Sequence, residues 1–105
     1  MITFEQLKVL AENNVAHGGE PEIWINFSDK KNDYMIIAFE DKCSFQRCAT
    51  QGWSKYGEYD GSGESFYKTL DELYETETVD GILLKRDWDK ITNIQSFEID
   101  FENQG

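Results

Sequence analysis

The change of hydrophobic period at Pro21 constrains this chain more than any other feature of its sequence. Before the proline, Phe4, Leu7, Val9, Leu10 and Ala11 fall on one broad side while Glu5, Lys8 and Glu12 fall on the other, the pattern of a helix laid on a sheet. After it, Ile23, Ile25 and Phe27 alternate with Trp24 and Asn26, and a period of two belongs to a strand. A short chain that commits to both periods is expected to be α+β.

The local signals extend this reading. Thr3 is a good N-cap, Gln6 completes a capping box and Ile2 is placed to pack on Leu7, so a helix should begin at Phe4. Asn13-Asn14 and Gly18-Gly19 should end it. Residues 34–39 are apolar on both faces, as suits a central strand covered on two sides. A turn at 40–42 leads into 44–48, whose polar alternates predict a strand nearer the edge. Residues 50–64 carry Gly52, Gly57, Gly61 and Gly63 and read as a long loop or irregular hairpin, followed by a short strand at Phe66 and Tyr67.

The second half predicts two more helices and a closing strand. Thr69 and Glu72 make a second capping box for a helix through about Tyr74, with Leu70, Leu73 and Tyr74 inward. Asp80-Gly81 between Val79 and Ile82 signals a tight reversal. Leu84, Trp88 and Ile91 share one stripe of a helix over 83–91, leaving Lys85, Arg86, Asp87, Asp89 and Lys90 in water. Phe97, Ile99 and Phe101 alternate with Glu98, Asp100 and Glu102, the mark of a strand with one buried and one anionic face. The expectation is a single domain over 1–105: an antiparallel sheet of four to five strands with two to three helices mainly on one face.

Charge sets the class of partner. With 21 acids against 10 basic residues the net charge is −11, which repels a phosphate backbone and disfavours direct nucleic-acid binding. A basic protein surface is the natural counterpart. No apolar run is long enough for a bilayer and the start lacks a signal peptide's features, so the expected setting is cytoplasmic with no membrane partner. Cys43 and Cys48 fall on opposite faces of one strand and are expected to be reduced and unjoined.

Little in the sequence points to catalysis. His17 is the only histidine and lies in a loop before two glycines, far from any nucleophile–base pair, and the ligands for zinc are few. Residues 60–64 resemble the opening of a calcium loop, but Ser65 and Asp71 stand where its glycine and bidentate glutamate belong. Glu98, Asp100 and Glu102 read as a polar outer face. A chain this short is also expected to lack room for a pocket of about 300 Å³. No catalytic residue, metal or cofactor is expected.

Residues 58–80 hold eight acids against Lys68 alone: Glu58, Asp60, Glu64, Asp71, Glu72, Glu75, Glu77 and Asp80. Beside them Trp53, Tyr56 and Tyr59 stand among glycines, a composition found at binding surfaces and equally suited to a satellite core over the sheet edge. The predicted binding site is therefore Trp53, Tyr56 and Tyr59 with Glu58, Asp60, Glu64, Asp71, Glu72, Glu75 and Glu77. In size, acidity and helix-plus-meander order the chain resembles small proteins encoded by bacterial phages and mobile elements, some of which inhibit host or anti-phage nucleases. That resemblance implies a non-catalytic interaction protein whose basic partner is a nucleic-acid-binding enzyme. The alternatives are a small carboxylate- or metal-dependent enzyme and an assembly factor that homodimerises through a sheet edge.

Overall fold

In the computed structural model, which describes residues 1–48 and 63–101, the capping box forms as the sequence requires. Thr3 Oγ1 accepts the Gln6 N–H at 3.1 Å and Gln6 Oε1 accepts the Thr3 N–H at 2.8 Å, opening α1 (Phe4–Ala16). Phe4, Leu7 and Ala11 are buried, whereas Val9 is 58% exposed, against expectation. Two residues past Leu7 is about 200° around a helix, so Val9 points away from the core that Leu7 enters. The helix also runs through Asn13-Asn14 and stops at His17, just before Gly18 takes φ 90°.

Five antiparallel strands follow: β1 (Glu22–Phe27), β2 (Tyr34–Ala38), β3 (Cys43–Arg47), β4 (Glu64–Tyr67) and β5 (Ile91–Ser96), in the order β4-β3-β2-β1-β5. The first four form a meander, and β5 returns to pair with β1. Register sets Ile23, Ile36, Phe45 and Ser65 in one row and Trp24, Met35, Gln46 and Glu64 in the next, so the two rows face opposite ways. The first face joins Leu7, Ala11, Leu70, Leu73 and Leu84 in the core. β2 is central and largely buried on both faces, as its apolar run predicts. β3 differs from expectation: Ser44 and Gln46 are buried, because β4 supplies its outer partner and removes it from the edge.

Thr69 Oγ1 caps α2 (Leu70–Glu75) by accepting the Glu72 N–H at 3.1 Å, while the Glu72 carboxylate accepts from Lys68 N–H at 3.0 Å, one residue short of a reciprocal box. Asp80 (φ 57°) and Gly81 (φ 74°) make the reversal, both left-handed, the backbone that an Asp-Gly pair tolerates best.

Two further expectations fail here. The predicted helix over 83–91 is a single turn of α3 (Leu84–Asp87) and a 3₁₀ turn at Trp88–Lys90, and Ile91 already starts β5. Leu84 and Ile91 are buried and Trp88 half-buried, and Asp87, expected in water, is only 5% exposed. The closing strand is likewise 91–96 and not 97–101: Thr92 and Asn93, just past the helix expected over 83–91, are part of it. Ser96 Oγ donates to Glu98 Oε2 at 3.0 Å and accepts the Glu98 N–H at 3.1 Å. This local turn lifts the backbone off the ladder. Ile99 still reaches the core and Phe101 packs against it, but Phe97 is 95% exposed.

Candidate functional site

Of the predicted binding residues, Trp53, Tyr56, Glu58, Tyr59 and Asp60 lie outside the described residues. Glu64 is half-buried in β4, in the row shared with Gln46, Met35 and Trp24, and so on the face opposite the core against which α2 packs. Asp71, Glu72, Glu75 and Glu77 are brought together, all exposed, on α2 and its exit. Thr69 fixes the start of that helix, and Leu70 and Leu73 anchor it, so its carboxylates project outward.

These acids have unequal roles in the fold. Asp71 meets Lys8 Nζ at 3.1 Å, and Lys8 also reaches Glu5 at 3.1 Å. Those hydrogen bonds raise the Lys8 pKa. Glu72 holds the Lys68 N–H, and both it and Asp71 lie in the first turn, where the helix dipole favours negative charge. Glu75 stands in the last turn with only Lys85, at 3.6 Å, and no cation occupies that turn. The dipole there opposes a negative charge, so Glu75 and Glu77 carry charge that α2 does not need for its own stability.

Asp80, the eighth acid of the stretch, is tied inward. Tyr34 Oη donates to its Oδ2 at 2.5 Å and Arg47 Nη1 to its Oδ1 at 2.7 Å. Burial, then the adjacent carboxylate, raise the Tyr34 pKa, keeping the phenol a donor. A non-glycine residue at φ 57° is held there by two strands, and the result fastens the α2–α3 connection to the sheet. Asp80 was read from sequence as patch charge; Tyr34 and Arg47, its partners, lie far off in the chain and give no local signal.

Asp87 is the other acid the sequence misassigns. Its carboxylate accepts the Leu83 N–H at 3.0 Å and the Arg86 Nε and Nη2 at 2.9 Å each, with Lys90 Nζ at 3.4 Å. The Arg86 hydrogen bonds, against the cost of burial, hold its pKa well below the usual carboxylate range. The reach from residue 87 back to the N–H of residue 83, at the start of α3, is the signal that sequence could have offered.

A cleft of about 630 Å³ runs between the end of α1, the β2–β3 turn and the β4–α2 junction, larger than the sequence led us to expect. Its walls carry both signs, Glu12 and Glu40 against Lys42 and Lys68, over Val15 and Leu70. The cleft therefore has no strong preference for either charge. Cys43 lines it, donating to Thr69 O at 3.4 Å. Burial, then Glu72, push its pKa up to about 12, and burial, then Asp33, push that of Cys48 up to about 11. Both are free thiols, buried and protonated at neutral pH, and so poor nucleophiles. His17 Nδ1 lies 2.8 Å from Asn13 O at the end of α1. Among the described residues no group of three or more His, Cys, Asp or Glu is placed to hold a metal ion, and no helix is long and apolar enough to cross a membrane. Comparison with protein-family models, curated proteins and solved structures found no match for this chain.

Proposed function

We propose that this chain is a non-catalytic interaction protein that presents the α2 carboxylates to a basic protein surface, such as that of a nucleic-acid-binding enzyme. The observation that carries the reading is the placement of Glu75 and Glu77: exposed, beside Asp71 and Glu72, at the helix end where the dipole disfavours negative charge. Carboxylates fixed on an anchored helix form a patch of definite shape. Such a patch steers a cationic partner and accelerates encounter. Trp53, Tyr56 and Tyr59 are assigned the complementary role of lengthening the contact once made.

The test is capture of a partner from host lysate at low and high salt, followed by association kinetics. Glu75→Lys with Glu77→Lys should slow association about tenfold or more at low salt and leave the fold unchanged, since neither side chain caps a helix or enters the core. Glu72 is left intact because it holds the Lys68 N–H. A basic partner whose association is indifferent to both substitutions and to salt would refute the reading.

A further inference from the structure

We propose that β5 pairs with β5 of a second copy of this chain, antiparallel about a two-fold axis at Ile94. β5 ends the sheet, so among the described residues its outer edge has no strand partner. The two edges of this sheet are not alike. β4 is short, is bounded by Glu64 and Lys68, and has the Lys42 ammonium 5.3 Å from the Phe66 ring centre. Charges and short length are how proteins protect an edge from further pairing. β5 is longer and contains neither a charged residue nor a proline, in a chain of which 30% is charged. Phe97, directly past its end, is 95% exposed.

The occupant follows from the order of side chains. Within β5, residues 92–96 read Thr-Asn-Ile-Gln-Ser, and that run is chemically the same from either end. Antiparallel pairing about Ile94 sets Ile94 against Ile94, Asn93 against Gln95 and Thr92 against Ser96. Phe97, exposed directly past the end of β5, comes near the start of the partner's strand. Amide meets amide, hydroxyl meets hydroxyl and apolar meets apolar, cross-strand combinations that stabilise a sheet. A strand from a different protein would not require the run to mirror itself. A two-fold interface between identical chains sets each residue against the one an equal distance past the axis, twice over, and a run with compatible mirrored positions suits it.

The local geometry suits this centre. The register with β1 shifts at Asn26 and Phe27 and passes over Thr92, so the bulge lies at the start of the strand and 93–96 remain regular. Asn93 and Gln95 are exposed and Ile94 half-buried. Lys90 keeps Asp29 at 3.3 Å and Asp87 at 3.4 Å, and Glu98 holds the Glu22 N–H at 3.3 Å. Both end charges thus find their partners within their own chain and leave the neutral run 92–96 as the pairing segment.

Sedimentation of the full chain from about micromolar to about millimolar concentration should show a rise from the mass of one chain to that of two. Asn93→Lys with Gln95→Lys sets lysine against lysine twice and should raise the dissociation constant about tenfold or more, whereas Asn93→Lys with Gln95→Glu sets lysine against glutamate and should keep the dimer. Phe97→Asp, at a position already open to solvent, should weaken the dimer without touching the fold. Circular dichroism verifies folding of each variant. A single-chain mass throughout, or equal dissociation constants for the two double variants, would overturn the proposal.

Discussion

Replacing Asp87 by alanine tests how the second half of the chain is held together. The carboxylate is 5% exposed and serves three neighbours at once: the Leu83 N–H at the start of α3, the Arg86 guanidinium, and Lys90 at the approach to β5. Charge-assisted hydrogen bonds contribute about 1.5–3 kcal/mol each when a buried partner is stranded. Arg86 and Lys90, however, are more than 40% exposed and regain water on truncation. The loss therefore centres on the Leu83 N–H and the buried charge, and we expect about 2–3 kcal/mol at neutral pH, a large share of about 5–10 kcal/mol for a domain of this size. The sign of the pH dependence follows from the lowered folded pKa. The stabilisation is fully present above the unfolded carboxyl value of about 3.9 and declines as pH falls from there toward the folded value. Urea unfolding of both proteins at pH near 7 and near 3 isolates the effect, because the other carboxylates are common to both. The difference should be smaller by about 1 kcal/mol at the lower pH. Equal midpoints at neutral pH, or a difference that ignores pH, would refute the role assigned to Asp87.

Trp88→Ala should destabilise by about 3 kcal/mol, the lower end of the range for aromatic truncation because the side chain is only half-buried. It loses edge contacts with Phe4 and Tyr74 at 5.5 and 6.2 Å and the indole bond to Ile2 O at 3.2 Å, and an unchanged chemical-denaturation midpoint would show that these rings do not hold α3 against α1. The native protein should react slowly with a thiol reagent at pH near 8, where both buried cysteines remain protonated, and rapidly once unfolded. Fast labelling of the folded state would contradict their burial.

The elements that sequence predicts well are those whose signal is local. Thr3 with Gln6, Thr69 with Glu72, and Asp80-Gly81 each specify a cap or a turn from residues within four positions, and each forms close to where it was read. The closing strand fails for the opposite reason. Ile91, Thr92, Asn93, Ile94, Gln95 and Ser96 have a weak period, and they become a strand because β1 offers them an edge from Ile23 to Phe27. The stronger alternation of Phe97, Ile99 and Phe101 lies past the end of that edge, and the Ser96–Glu98 turn diverts it. The acidic stretch shows the same limit. Counting finds eight acids, but only the register shows Glu64 on the far face, and only the approach of Tyr34 and Arg47 shows Asp80 turned inward.

The net charge of −11 would oppose self-association if the acids surrounded the paired edge, and the sheet order places the densest of them elsewhere. α2 packs against β3 and β4, while β5 closes the opposite end. Four strand spacings of about 4.8 Å separate the β4 edge from β5, about 19 Å, so two α2 helices in an edge-paired dimer stand about 40 Å apart. The Debye length at physiological salt is about 8 Å. Repulsion between the two patches is therefore almost fully screened, and the contact itself involves only the neutral run 92–96. Pairing through β5 would then leave one acidic helix near each outer end of a continuous sheet built from the five described strands of each chain. A basic partner that presents two such sites, or a long cationic groove, would engage both ends, the second as an intramolecular step at high effective concentration. The neutral edge and the acidic face are in this sense one design: concentrating charge at one end of the sheet frees the other end to pair.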